Sequence, residues 1–406
     1  MVHAAAKPAL TRAHRKPRRL QGTRALVLLA SVIVALLAGS AAPTPLYAIY
    51  QAHWGFSSIT TTIIFGIYAV SVLVALLTLG KLSDHVGRKP ILLVTLFVQV
   101  AVMIVFANAG DVSVLLVGRV IQGIATGAAL GAIGAGMLDI DPKRGQLSNA
   151  VAPGIGTGSG ALLSALLITY LPAPTQLVYY VLAAVFLLQA LGVSFMRETV
   201  RRVPGALASL KPEIKLPRTV RAHFLAAAPV LFATWALAGL YGALGPALVA
   251  KLAGSASTVL GGLILVAFAG VASALVIALR NAVPIKVMTA GIVALLAGVA
   301  VTLLALGTGS LPLFFVGTAI AGLGFGGGFQ GGIRIVVPLV QPHERSGVLS
   351  LLYVISYLGF GGPAVVAGVL TVHGPGLLGA AAIYGVAVIV LALLALAALI
   401  RAQRKN

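Results

Sequence analysis

The chain has 406 residues, of which 60% are hydrophobic and only 9% charged, and its mean hydropathy is +1.08. A water-soluble domain carries about a quarter of its residues as charges, and each charge at a bilayer centre costs about 2.5–3.5 kcal/mol on insertion scales, so this composition describes a chain dissolved mostly in lipid. A net charge of +21 would suggest nucleic-acid binding in a soluble protein, but here the basic residues are scattered over short connections and no nucleic-acid partner is expected; with no cysteine, disulfides and thiolate metal sites are excluded.

The first 24 residues carry Lys7, Arg12, Arg15, Lys16, Arg18, Arg19 and Arg24 and read as a basic cytoplasmic tail. The apolar run from Ala25 is long enough to span and lacks a small-residue cleavage site, so it is expected to remain as a span. A helix needs about 20 apolar residues to cross about 30 Å of hydrocarbon. Such runs fall at 25–48, 58–79, 91–109, 112–138, 147–170 and 177–196, then at 223–249, 256–279, 286–307, 312–338, 346–370 and 377–400. With no water to satisfy the backbone, all twelve must be helical.

All but three of the 28 basic residues fall on one side if the N-terminus is inside. The exceptions are Lys251, in an outer connection, and Arg119 and Arg334, within spans. The positive-inside rule therefore predicts a multi-pass protein of a bacterial inner membrane with both termini cytoplasmic. The polar stretch 197–222, with seven basic residues and three prolines, reads as a cytoplasmic linker between a six-helix bundle over 25–196 and a second over 223–400, followed by a short tail at 401–406. The halves echo each other near an offset of 200 residues. Pro142-Lys143-Arg144-Gly145 precedes span five as Pro342-His343-Glu344-Arg345-Ser346-Gly347 precedes span eleven, and Pro45 has a counterpart in Pro246. The fold class expected is an all-α integral membrane protein of two pseudo-symmetric six-helix bundles, a duplication that transporters use to build a midplane site.

Between spans two and three lies Gly80-Lys81-Leu82-Ser83-Asp84-His85-Val86-Gly87-Arg88-Lys89-Pro90. The glycines allow close approach and a tight turn, and Asp84 can pair with a basic loop residue or cap a helix start. This loop resembles the signature loop of the major facilitator superfamily, and Arg119-Val120-Ile121-Gln122-Gly123 in span four is similar to that family's second motif. The resemblance implies that Gly80, Asp84, Gly87, Arg88 and Lys89 form a conformational latch on the outward-facing state. Pro153-Gly154-Ile155-Gly156-Thr157-Gly158-Ser159-Gly160 in span five matches the family's antiporter-associated motif only in part, and Gly361-Gly362-Pro363 is a similar element in span eleven. Gly123, Gly127 and Gly131, and likewise Gly154, Gly156 and Gly160, are expected to let helices pack closely.

Arg119 sits about seven residues into span four, roughly 10 Å deep, where a guanidinium needs a partner or a wet cavity. Two readings stand open: solute or coupling chemistry, or satisfaction by neighbouring carbonyls that fixes helix positions. Arg119, Gln122 and Thr126 share a helical face, as do Tyr353 and Tyr357. With Trp235, Tyr241, Gln330 and Arg334, and with Asp139 as the nearest coupling candidate, they are the expected substrate and coupling residues. Arg334 lies near a span end, where snorkelling outward is the simpler expectation. Tyr47, Tyr50 and Gln51 are further cavity candidates. Trp54, Tyr179 and Tyr180 read as an outer aromatic belt, and His53, His223 and His373 show no metal-ligand clustering.

None of the seven acidic residues, Asp84, Asp111, Asp139, Asp141, Glu198, Glu213 and Glu344, lies in the middle of a span. Coulomb's law then favours a neutral or anionic solute over an organic cation. The function expected is secondary transport of a small organic solute by alternating access, as an exporter with the proton as candidate coupling ion. The alternative is an importer or uniporter of a sugar or organic acid. No nucleotide-binding loop, metal cluster or paired catalytic carboxylates stand out, so an enzyme, a cofactor and a metal are not expected. The expected partners are the solute and the lipid bilayer, and the expected unit is a monomer.

Overall fold

The computed structural model describes residues 20–255, 257–341 and 344–404. Of the features named above, the basic residues from Lys7 to Arg19, Lys405, and the pair Pro342 and His343 lie outside the described residues. Among the described residues, twelve helices are long and apolar enough to cross a membrane: Thr23–Ala41, Ser58–Leu79, Arg88–Ala107, Val112–Ile140, Pro142–Tyr170, Leu177–Ser194, Arg218–Ala243, Thr258–Ala278, Pro284–Thr308, Leu311–Leu339, Gly347–His373 and Gly376–Ile400. They are numbered spans one to twelve in that order. The expected set of spans is all there, with two refinements. Span one stops at Ala41 and a separate short helix, Tyr47–Trp54, follows it; span seven is likewise followed by Gly245–Ala253.

Local chemistry sets the helix ends. Asp111 accepts from the Ser113 and Val114 N–H groups at the start of span four, and Asp141 accepts from Lys143 and Arg144 at the start of span five, with Pro142 in the first turn. These carboxylates satisfy amides that have no partner inside the helix. Ser57, Ser257 and Ser310 play the same part for spans two, eight and ten.

Two large buried clusters organise the molecule. The first runs from Ala25 to Met196 and takes its members from spans one to six and the connections between them. The second is built mainly from Val230 to Leu399 and borrows Ala41, Phe65 and Ala161 from the first half. Each six-helix half thus has a core of its own, and the pseudo-symmetric pair of bundles is what the sequence led one to expect. Large aliphatic side chains such as Val70, Val74, Leu188 and Leu394 stand on the outside. In water such a surface would drive association; facing hydrocarbon it is solvated.

The halves meet where span two crosses span eleven and where span five crosses span eight. Gly66 packs on Val365, Gly361 on Ala69, Gly154 on Ser273 and the Ala269 carbonyl, and Gly262 on Ala161 and Ala165. Side-chain polar contacts join spans five and eight. Ser273 Oγ donates to the Val151 carbonyl at 3.3 Å, and the hydroxyls of Thr169 and Thr258 lie 2.8 Å apart. The glycines marked in the sequence divide their work. Gly123, Gly127 and Gly131 bring span four onto span two, Gly156 and Gly160 bring span five onto span one, and Gly154 faces the other half.

Candidate functional site

Three groups of side chains stand out, one at a span end and two at depth. The first is the loop between spans two and three, on the face that also carries the 197–222 linker and is called the basic side below. Leu82–Val86 is a single helical turn stopped by Gly87, whose φ of +104° is one that a side-chain-bearing residue rarely adopts. Arg88 is buried although it belongs to a surface loop. Its guanidinium pairs with Asp84, donates to Ser83 Oγ at 2.7 Å, and reaches Asp139 Oδ2 at 3.3 Å. Asp139 in turn accepts from Thr199 Oγ1 at 3.0 Å.

The linker completes this cluster. Glu198 accepts from the Arg88 N–H at 2.9 Å through one carboxylate oxygen and from the Lys89 N–H at 3.0 Å through the other. It therefore caps the start of span three, where a negative charge also suits the helix dipole. A Cβ on Gly87 would sit 2.6 Å from that carboxylate and would have to push it aside, in addition to straining the turn. Lys89 Nζ donates to the Ser194 carbonyl, His85 Nδ1 lies 3.0 Å from the Pro204 carbonyl, and Lys81 pairs with Glu213. The hydrogen bond from Lys81 holds the Glu213 carboxyl below its ordinary range.

The second group lies within the first half and begins with two prolines. Pro43 has no N–H to give the Gly39 carbonyl four residues back, and Pro45 has none for Ala41. Thr44 N turns to the Ala41 carbonyl instead, at 3.0 Å, and the helix opens. The freed carbonyls are taken by side chains from other spans. Gln122 Nε2 donates to Gly39 O at 3.1 Å, Arg119 Nη1 to Ser40 O at 3.0 Å, and Ser164 Oγ to Ala42 O at 2.7 Å. Arg119 also donates to Gln122 Oε1 at 2.7 Å and, through Nη2, to the Tyr47 hydroxyl at 2.6 Å. Its guanidinium carbon lies 5.2 Å from the Tyr68 ring centroid and 6.0 Å from that of Phe106. Gln99 Nε2 binds Thr126 Oγ1 at 2.9 Å from span three.

Arg119 is 2% exposed and Gln122 and Thr126 are fully buried. Of the two readings of Arg119, this structure has the one in which it is satisfied by neighbouring groups: Arg119 and Gln122 give their donors to the open end of span one, while Thr126 accepts from Gln99. Tyr241 is likewise satisfied by a neighbour, being fully buried with its hydroxyl 2.8 Å from Thr302 Oγ1. Asp139 belongs to the loop cluster at the basic side. Arg334 closes the end of span eight, donating to Leu279 O at 3.3 Å and Ala282 O at 2.7 Å, rather than snorkelling. Tyr179 is not a belt residue either. It is fully buried, and Tyr50 donates to its hydroxyl at 3.2 Å.

The third group is aromatic. Trp235 of span seven is ringed by Tyr357 at 5.1 Å, Phe329 at 5.4 Å, Phe360 at 5.6 Å and Phe325 at 6.0 Å between centroids. Phe360 touches Phe65 of the first half at 4.5 Å. Phe65 is buried and the other five rings are half-buried, and the Trp235 indole N–H is buried without a hydrogen-bond partner among the described residues. Tyr353 lies one turn before Tyr357 and is half-buried as well, and Gln330 keeps an unpartnered buried amide oxygen. Among the described residues no group of three or more His, Asp or Glu could hold a metal.

Sequence reasoning missed Glu198, Gln99 and the phenylalanines at 325, 329 and 360. Glu198 was discoverable as one of seven acids in a chain of this charge, sitting directly after span six. The Phe325 and Phe329 spacing of four also marks one helical face, but phenylalanine in a membrane helix carries no signal that separates a lining ring from a packed one.

A family model described as the Major Facilitator Superfamily matches residues 27–283. The chain belongs to the Major Facilitator Superfamily. Among curated relatives, the tetracycline resistance protein of class H from Pasteurella multocida is 29% identical over 153 residues, covering 37% of this chain and 38% of that protein. An MFS-type transporter of Macrophomina phaseolina, mpsC, is 35% identical over 119 residues, covering 28% of this chain and 23% of its own length. The chain thus aligns with less than two fifths of either relative. A bacterial homologue of the human lysosomal transporter Spinster, in an inward-facing and unoccupied conformation, superposes with a TM-score of 0.72 at 15% identity, over 93% of this chain and 96% of that one. The nucleoside transporter NupG gives 0.67 at 14% identity, over 92% and 98%. At such identities the likeness shows the fold alone: this superfamily member is a multi-pass membrane protein with the superfamily's twelve-helix architecture.

Proposed function

We propose that this chain is a secondary transporter that moves a small organic solute by rocking its two halves, 25–196 and 223–400, about the seam between them. The observation that carries this reading is the contrast between cores and seam. Each half is organised around a large buried cluster, of which the second takes in Ala41, Phe65 and Ala161 from the first half, while the seam is built mainly on glycine and alanine contacts, the Phe65–Phe360 ring contact and a few neutral hydrogen bonds. Such bonds are worth about 1 kcal/mol each, so exchanging them for others as the halves tilt costs little. The loop 80–90, pinned by Arg88 and Glu198, and the linker 197–222 would act as the latch on the basic side, with that side and both termini in the cytoplasm of a bacterium and the monomer as the working unit.

The direction we propose is export, supported by the partial likeness to a tetracycline resistance protein. Purified protein in liposomes under an imposed proton gradient tests the proposal. Gradient-driven flux of a neutral or anionic organic solute is expected, and the absence of flux for every solute in a broad panel refutes it. A second reading, uniport of a sugar or organic acid down its own gradient, is favoured by one observation. All seven acids lie at span ends, in loops or in the linker, which leaves no mid-span carboxylate to carry a proton. Counterflow that persists with the proton gradient collapsed would select it.

A further inference from the structure

We propose that the solute pocket is the aromatic chamber around Trp235, and that it takes an uncharged, planar, aromatic solute bearing a hydrogen-bond acceptor. This rests on the transport reading above and supplies its substrate class. The rings come from four directions: Trp235 from span seven, Phe325 and Phe329 from span ten, Tyr357 and Phe360 from span eleven, and Phe65 from span two. Each lies within about five residues of the middle of its span, hence within roughly 8 Å of mid-depth at 1.5 Å per residue. Phe65 of the first half is buried against Phe360, which sets the cluster on the seam between the halves; in this proposal the accessible faces of the five half-buried rings turn toward that seam.

Flat faces at mid-depth recognise a flat partner, because offset stacking and edge contacts reward a π-system over a puckered one. Trp235 supplies the polar contact. Its N–H is buried with no acceptor among the described residues, a state that costs free energy until an acceptor arrives. The chamber also selects against charge. The basic residues Arg119 and Arg334 within spans are committed elsewhere, Arg119 to the open end of span one and Arg334, near its span's end, to the end of span eight. Every acid lies at a span end, in a loop or in the linker. An organic cation would gain the attraction of the ring faces, but would lose its water with no carboxylate to replace it.

The chain has two tryptophans, Trp54 and Trp235. Trp54→Phe in the full-length protein leaves Trp235 as the only indole, a reporter inside the chamber. Two uncharged planar probes that accept energy from tryptophan, riboflavin and 7-methoxycoumarin, are titrated against it, with glucose as uncharged and non-planar and ethidium as planar and cationic. Saturable quenching by at least one of the first two is expected. Phe329→Leu, which keeps apolar volume and removes a ring, should weaken it at least tenfold with an unchanged melting point. Should that variant fail to fold, Tyr357→Leu takes its place with the same expected loss. Non-saturable quenching by both planar probes, binding untouched by loss of the ring, or tighter binding of ethidium overturns the proposal. Riboflavin flux into liposomes separates the two readings. Glucose flux without saturable binding of either planar probe leaves the transporter standing and removes the aromatic pocket. Saturable binding with no flux of riboflavin or any panel solute keeps the pocket and removes the transporter.

Discussion

Replacing Arg119 by alanine tests whether it anchors the open end of span one. The substitution deletes donors to Ser40 O, Gln122 Oε1 and the Tyr47 hydroxyl. The hydroxyl can turn and donate, but the two carbonyl-type oxygens stay buried, and an orphaned buried acceptor costs about 1–3 kcal/mol. Removing a guanidinium that has no carboxylate partner returns part of its burial cost. The expected net loss is about 2–4 kcal/mol, or roughly 5–15 °C in melting point for a unit the size of one half, read by thermal unfolding in detergent.

A second substitution makes this test sharp. Thr44 N serves Ala41 O only because Pro45 cannot. Pro45→Ala supplies that missing N–H and frees Thr44 N for Ser40 O, the acceptor that Arg119→Ala abandons. Alone, Pro45→Ala should cost a few tenths to 1 kcal/mol through the unfolded chain. In the Arg119→Ala background it should restore stability, giving a coupling of about 1–2 kcal/mol between the two sites. Strict additivity would refute the reasoning. Lost transport at an unchanged melting point would show instead that Arg119 meets the solute.

Other expectations concern the basic side. Asp84→Asn removes one of the two carboxylates on Arg88 and should impair transport several-fold while leaving membrane insertion intact, as fractionation and flux together will show. Glu198→Ala uncaps span three and should cost about 1–2 kcal/mol, with faster proteolysis in the 197–222 linker; Glu198→Gln, which keeps an acceptor, should cost less. Lys81 lowers the Glu213 carboxyl, so the charged pair persists down through the ordinary glutamate range and is lost only as pH falls through the lowered value. Both groups are exposed, and salt should weaken the contact at neutral pH, read as faster amide exchange near residue 213. Arg334→Ala leaves Leu279 O and Ala282 O near water and should perturb transport less than Arg119→Ala does.

The fold was legible because lipid imposes its own arithmetic. Run lengths placed all twelve spans, and the basic linker marked the division between halves. The break in span one was visible as Pro43 and Pro45, yet its consequence was not, since the side chains that answer it stand about 80 and 120 residues further on. Arg119 was visible as an oddity. Which of its two readings held depended on whether a carbonyl or open space faced it, and a single sequence does not carry that distance. The ring cluster around Trp235 was legible only as scattered aromatics in spans seven and eleven; the span ten phenylalanines that complete it look like packing until the helix faces are known.

The two halves have the same helix plan but spend their polar residues differently, and the cause lies in the helix ends. Span one opens across two prolines, so its half commits an arginine, a glutamine and a serine to carbonyls that would otherwise be orphaned. Span seven carries Pro229 in its interior and meets Pro246 after its end, yet its backbone runs on at that end, with Leu244 N reaching Leu240 O and Leu248 N reaching Leu244 O, both at 2.9 Å. The second half sets Arg334 on the carbonyls at the end of span eight rather than on span seven, and its polar aromatic Trp235 keeps an N–H with no partner among the described residues. A duplicated architecture can thus divide its labour, one half stiffened around an opened helix and the other left to present rings to a solute. Restoring the first half's helix hydrogen bonds should then relax its demand for Arg119, and no comparable substitution at Pro246 should alter the rings around Trp235.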